Sequence, residues 1–374
     1  MRNLWIKICR LYHNHWWLGP LTIFLLWRLG LEIIGRTTLA FTAPVLNPWP
    51  ADPNPPLWAR WDSGWYSSIL TYGYQLREKA MSNVTFFPLY PLLWKIIWLM
   101  TKLPRLVAGV LASNLAALGF CLIFFRWVQE QWNTNTAQRA LVAILIFPAS
   151  FFLIAAYSES TFILLVALAF LLAYRKQWLG ASIAAALASA ARPVGIMLWP
   201  TLLVWAVLEE APLKNWRQFM PITVLPPLGL AAFSYYLWLH LGQPLAWLHG
   251  QAEAGRQLAS PFPLLLAYTQ NIILRSQLWA RHLGETASLI FAVVVLPKAW
   301  RLKVAYGVFV VLSLLPPLLT NTLASLPRFT LMLLPLFVAV AQTKNRWLYL
   351  SYVVIATPLL IFNLSQYVTW QYAG

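Results

Sequence analysis

Residues 59–74 read ARWDSGWYSSILTYGY, placing one aspartate among two tryptophans, two glycines and three tyrosines. The segment is too polar to cross a bilayer, yet the chain around it runs into long charge-free stretches. Of the 374 residues, 60% are hydrophobic and only 10% charged, against about 25% charged in a soluble domain. The chain therefore reads as an all-α polytopic membrane protein, with 59–74 as a short interfacial helix in a loop between spans.

An apolar helix crosses the hydrocarbon in about 20 residues. Charge-free runs place spans at about 20–40, 106–126, 139–157, 160–174, 179–191, 194–208, 218–240, 286–299, 304–322, 328–342 and 347–367, about eleven in all. The pieces 179–191 and 194–208 are short and read as a broken pair meeting near Arg192. The run FFPLYPLLWKIIWLM at 86–100 is apolar enough to tempt a twelfth. If it crossed, Arg175 and Lys176 would lie outside and Glu159 inside. Left on the outer side, surface-lying or re-entrant, it sends every strongly basic loop to the cytoplasm, as the positive-inside bias requires. Trp94 and Trp98 are then expected at headgroup depth, with Lys95 reaching water.

On this topology the N-terminus, with Arg2, Lys7 and Arg10, is cytoplasmic, and the first apolar stretch is an uncleaved span. The C-terminus is outside. Residues 1–374 form a single integral-membrane domain with two long outside loops, 41–105 and 241–285. Loops of that length inside a compact protein are usually functional.

The formal charge of +17, from 27 Lys and Arg against ten Asp and Glu, is explained by orientation. No basic run of five or more residues and no polar domain supports nucleic-acid binding. Cys9 and Cys121 imply no disulfide, and five scattered histidines give no metal-ligand spacing.

Ten carboxylates can be weighed one at a time. Glu130, Glu209 and Glu210 read as cytoplasmic and solvated. Arg28, Glu32 and Arg36 lie four apart on one face of the first span, an ion-pair ladder turned into the bundle. Asp52 suits a Pro-rich turn and Glu78 a charged surface patch, while Glu253 and Glu285 fall in the second outside loop. Two remain. Asp62 either caps the short helix or acts on a substrate at the membrane boundary, with Trp61 and Trp65 sharing one helix face and Tyr66 one turn above it. Glu159 interrupts apolar sequence at the outer edge, as a functional carboxylate or as a cap of the next helix. Arg192 and Arg328 sit at outer helix ends, where a guanidinium grips either a substrate phosphate or a phospholipid headgroup.

Five segments in order, ARWDSGWY with YGY, NVTFFPLYPLL, FPASFFLIAAYSES, ASAARPVGI and LPRFTLMLLPLF, span residues 59–337. Together they resemble the PIG-V-like family, the bacterial relatives of the second mannosyltransferase of GPI-anchor assembly, within the GT-C glycosyltransferases. The resemblance implies a GT-C-like bundle in a bacterial plasma membrane, with short interfacial helices in the first outside loop. It further implies a polyprenyl-phosphate sugar donor, with mannose the usual sugar, and chemistry on the non-cytoplasmic face. Asp62 takes the place of the catalytic base, Glu159 the second acidic position, and Arg192 and Arg328 the arginines of the RP and PR motifs. Many relatives carry a threonine where this chain has Ala191. The acceptor, a lipid or glycan, does not carry over.

Sugar transfer from a phosphate donor needs a base, charge stabilisation for the departing phosphate, and shelter from water. A partly desolvated Asp62 suits the first, and Arg192 and Arg328 the second. Trp61, Trp65 and Tyr66 offer faces to a sugar ring and to lipid, and Arg60 and Asn83 complete the expected substrate-binding set. Direct displacement inverts the anomeric centre. No cofactor is expected, although Asp62 and Glu159 are a candidate pair for a divalent cation. The alternative is a transporter or flippase of a lipid-linked sugar. Such folds usually show paired halves with matching broken helices, and no such repeat stands out here.

Overall fold

The computed structural model describes residues 15–42, 55–77, 81–209, 216–253, 255–275 and 279–371. Asp52, Glu78, Glu210 and the N-terminal Arg2, Lys7 and Arg10 lie outside them. Among the described residues there is no β-strand. The helices are α1 (Leu18–Phe41), α2 (Ser63–Tyr72), α3 (Leu89–Thr101), α4 (Arg105–Gln131), α5 (Thr134–Leu145), α6 (Glu159–Tyr174), α7 (Trp178–Ala191), α8 (Leu198–Glu209) and α9 (Trp216–Val224). They continue with α10 (Leu228–Leu241), α11 (Ala246–Glu253), α12 (Pro261–Ile273), α13 (Trp279–Leu302), α14 (Val304–Leu318), α15 (Leu326–Leu331), α16 (Leu334–Ala341) and α17 (Arg346–Val368).

Among the described residues, five helical stretches are long and apolar enough to cross a membrane by themselves: Leu18–Phe41, Arg105–Gln131, Phe219–Leu241, Arg281–Leu302 and Arg346–Val368. With leucines and valines exposed along them, they identify an integral membrane protein. The other expected spans are shorter, and two are broken. The run 328–342 divides at Leu333, ahead of Pro335, into α15 and α16.

The run expected to cross over 139–157 stops being α-helical after Leu145. Pro148 supplies no N–H and drives Phe147 away from helical backbone. From Phe147 to Thr161 only Pro148 escapes full burial. Irregular backbone survives at membrane depth only where protein satisfies its polar groups, and here α4 does so. Asn114 Nδ2 donates to the Ile154 carbonyl at 3.2 Å, and Ser113 Oγ donates to the Tyr157 carbonyl at 3.1 Å. The Ala156 N–H donates to the Trp58 carbonyl at 2.7 Å, which ties this segment to the loop preceding α2.

Helix α6 is apolar on all sides and accordingly sits at the centre, packed between α4 and α7. The α1 ladder forms as expected: Glu32 accepts from Arg28 at 2.7 Å and from Arg36 at 2.6 Å. It also accepts from Trp58 Nε1 at 2.7 Å, while Arg28 Nε reaches Asn114 at 2.9 Å. The ladder thereby anchors the first long loop to α1 and α4.

Helix α3 exposes Leu92, Ile96, Leu99 and Met100, an apolar face beside the exposed Lys95. Trp94 departs from the interfacial expectation: it is fully buried, its indole N–H donating to the Arg105 carbonyl at 2.6 Å. Its ring lies on Gly109, where a Cβ would come within 2.4 Å. Gly109→Val is expected to lower stability by about 1–3 kcal/mol through overpacking, read as a lower midpoint of thermal unfolding in detergent. Trp94→Leu should recover part of that loss in the Gly109→Val background.

Candidate active site

The chain enters α2 through an unusual turn. Trp61 has φ 54°, a left-handed conformation that costs a non-glycine residue about 1–3 kcal/mol. The C-terminal end of α17 holds it there. Arg60 Nη1 donates to the Val368 carbonyl at 2.6 Å, Trp61 Nε1 donates to the Tyr367 carbonyl at 3.4 Å, and the rings of Trp61 and Trp370 lie 5.5 Å apart. Because Trp61 precedes the helix and breaks its φ, the expected common helical face of Trp61 and Trp65 does not form. Trp65 instead stacks on Phe86 at 6.0 Å, with Arg77 over its ring.

Asp62 follows at the N-terminus of α2, and its carboxylate does not cap the helix. Its backbone N–H donates to the Tyr157 hydroxyl at 3.0 Å, and its Oδ2 accepts from Arg328 Nη1 at 2.8 Å. Tyr66, one turn on, is buried among Phe86 and Tyr90 and donates to Ser158 Oγ at 2.8 Å. Burial pushes the Tyr66 phenol above its ordinary pKa, so it is a neutral donor bracing α2.

Asn83 is likewise committed internally. Its side chain donates to the Gly73 carbonyl at 2.9 Å and to Ser68 Oγ at 3.2 Å, and accepts from the Gln75 N–H at 2.8 Å. It fixes the YGY turn, in which Gly73 at φ 71° supplies the left-handed residue.

The two acidic positions and the two arginines come together. Glu159, at the first turn of α6, is 0% exposed, and its Oε1 accepts from Arg328 Nε at 2.8 Å, Arg328 Nη2 at 2.5 Å and Arg192 Nη1 at 2.9 Å. Arg192 holds the extended backbone that Pro193 imposes, and also donates to Ser158 Oγ at 3.1 Å. Arg328 is delivered by α15 and lies over the rings of Phe152 and Tyr157 at 4.7 and 4.8 Å.

Its planar fork thus bridges two carboxylates on different elements. Arg328 lies between Asp62 and Glu159 and pairs with both, so the two carboxylates already share a cation of the protein's own. Asp62 retains 28% side-chain exposure, so it is the carboxylate open to a ligand. Glu159 is placed to hold both arginines.

Sequence reading gave no role to Tyr157 or Phe152, which form the aromatic bed of Arg328. Both stand in an apolar run that reads as ordinary span. Glu285, in the second long loop by sequence, is instead buried within α13 and accepts from Arg281 at 3.0 Å.

No family model matches this chain, and no curated protein matches its sequence. Among solved structures, it is similar to ArnT from Cupriavidus metallidurans bound to undecaprenyl phosphate. The identity is 11% and the TM-score 0.53, covering 92% of this chain and 75% of that one. The archaeal oligosaccharyltransferase AglB from Archaeoglobus fulgidus, in complex with an inhibitory peptide and a dolichol-phosphate, gives 14% identity and TM-score 0.47, with 97% of this chain and 56% of that one covered. Likeness at this level of identity speaks of the fold alone, and what this chain shares with ArnT is an all-helical architecture.

Proposed function

We propose that the chain is a membrane glycosyltransferase that moves a sugar from a polyprenyl-phosphate donor to an acceptor hydroxyl, with mannose as the sugar and PIG-V-like enzymes as its relatives. The observation that carries the reading is Arg328, buried and shared between an accessible Asp62 and an inaccessible Glu159, with Arg192 on the same Glu159 oxygen. Paired guanidiniums beside a single open carboxylate supply both halves of the chemistry.

The donor phosphate lies against Arg192 and Arg328. Arg328 occupies only Oδ2 of Asp62, which leaves Oδ1 for the acceptor hydroxyl. The acceptor oxygen bonds to the anomeric carbon as the bond from that carbon to the phosphate oxygen breaks. Asp62 takes the hydroxyl proton, and polyprenyl phosphate departs with both electrons of the broken bond. Attack opposite the leaving group turns a β-linked donor into an α-linked product.

Glu159 and Tyr157 position the arginine and the aspartate backbone, while Arg60 and Trp61 set the turn that presents Asp62. A charged network buried on a membrane helix is a functional feature by default, and its concentration at helix ends favours a transferase over a midplane transport pathway.

The site faces the non-cytoplasmic side of a bacterial plasma membrane in this proposal, with the N-terminus inside. In a chain whose Cys9 and Cys121 are replaced by alanine, Tyr72→Cys should be labelled by an impermeant thiol reagent on intact cells and Gln177→Cys only after lysis. The reverse pattern would move the site to the cytoplasm. The activity itself is tested in proteoliposomes given radiolabelled polyprenyl-phosphate mannose and a total membrane lipid extract. A new glycosidic product is expected. Label that crosses the bilayer with no new product would replace the transferase by a flippase.

A further inference from the structure

The second long loop brings a third arginine to this site. Residues 257–259 pair with 319–321: the Ala259 N–H donates to the Leu319 carbonyl at 3.0 Å, and the Asn321 N–H to the Gln257 carbonyl at 2.9 Å. The Gln257 N–H donates to Asn321 Oδ1 at 3.1 Å. This short antiparallel contact registers the loop against the segment that leads into α15. Arg256 stands at its head. Its Nη2 donates to the Ala324 carbonyl at 3.0 Å, and its guanidinium lies over the Phe329 ring, 4.9 Å from the centroid. Arg192 lies over the same ring at 5.9 Å, and Phe329 is the neighbour of Arg328 in sequence. One phenyl ring, on the residue after Arg328, is therefore shared by Arg192 and Arg256.

We infer that Arg256 is a donor-binding residue, contributing the third positive charge of a site for one lipid-linked phosphate; this rests on the function proposed above. Arg192 and Arg328 are already engaged by Glu159 and Asp62. A further guanidinium on the same ring as Arg192 adds positive charge for the phosphodiester of the bound donor and for the more highly charged monoester that departs after transfer. Since that charge acts on bound donor and departing phosphate alike, its loss falls mainly on binding rather than on the chemical step.

The test uses the full chain in nanodiscs, as wild type, Arg256→Ala and Arg256→Lys. Undecaprenyl phosphate is the binding probe, and transfer from radiolabelled polyprenyl-phosphate mannose is the activity readout. Arg256→Ala should weaken undecaprenyl phosphate binding about tenfold or more, the scale of one lost charge-assisted hydrogen bond. It should raise KM for the donor by a similar factor, with a smaller change in kcat. Arg256→Lys, which keeps the charge, should recover part of both. Unchanged binding together with a lower kcat would overturn the inference and make Arg256 a brace for α15 alone. Failure of the wild type to bind undecaprenyl phosphate would overturn it as well. If wild type binds the probe but transfers no sugar, the proposed function fails, and a weaker Arg256→Ala binding constant still upholds the phosphate site.

Discussion

Replacing Arg328 by leucine should abolish transfer and destabilise the protein by about 3–5 kcal/mol, the usual consequence of removing one partner from a buried ion pair. Three of its N–H groups are used, one on Asp62 and two on Glu159, and the side chain is 11% exposed. Leucine fills much of the volume but leaves Glu159, at 0% exposure, with Arg192 as its remaining ionic partner. The Glu159 Oε2 atom is already buried without a hydrogen-bond partner, so little can compensate. Two further variants separate charge from geometry. Arg328→Lys keeps the charge but cannot span two carboxylates with a planar fork. It should retain more stability than leucine while still losing most of the activity. Arg328→Leu combined with Glu159→Gln should be more stable than Arg328→Leu alone, because the stranded charge is gone. The unfolding midpoint in detergent and the transfer rate, measured on the same preparations, check each step.

The parts of this site that were legible in the sequence share a physical cause. Carboxylates and guanidiniums are costly in apolar surroundings, so Asp62, Glu159, Arg192 and Arg328 stand out in a chain with ten acidic residues. The α1 ladder was legible for a simpler reason, since residues four apart on a helix meet without tertiary information.

What was hidden is non-local. Trp94 looks interfacial until Gly109, fifteen positions on, is seen to provide the recess that buries it. The run 139–157 reads as one span because apolar content says nothing about the polar groups of α4 that satisfy a non-helical segment. Trp61 seemed to share a helix face with Trp65, but its left-handed φ is stabilised by the distant C-terminal residues 367–370. Arg256 sits in a loop without a motif, and only the pairing of 257–259 with 319–321 brings it to Phe329. Residue types could name the charged players; which carboxylate is open and which is sealed came from packing.

The assignment of Asp62 as the base is tested most directly by Asp62→Asn. Asparagine is nearly isosteric and its side-chain oxygen can still accept from Arg328 Nη1, while the Tyr157 bond to the backbone N–H is untouched. At 28% exposure the site also tolerates loss of the charge better than Glu159 would. The fold should therefore persist, and only proton acceptance is removed, a contribution of about 10²–10⁴-fold to the rate. Purified wild type and Asp62→Asn would be compared for transfer from radiolabelled polyprenyl-phosphate mannose to a total membrane lipid extract, with undecaprenyl phosphate binding measured beside it. The expected result is binding by both proteins and a labelled α-linked product from wild type, with transfer by Asp62→Asn reduced at least about 10²-fold. Near-wild-type transfer by Asp62→Asn would contradict the assignment and require a different base.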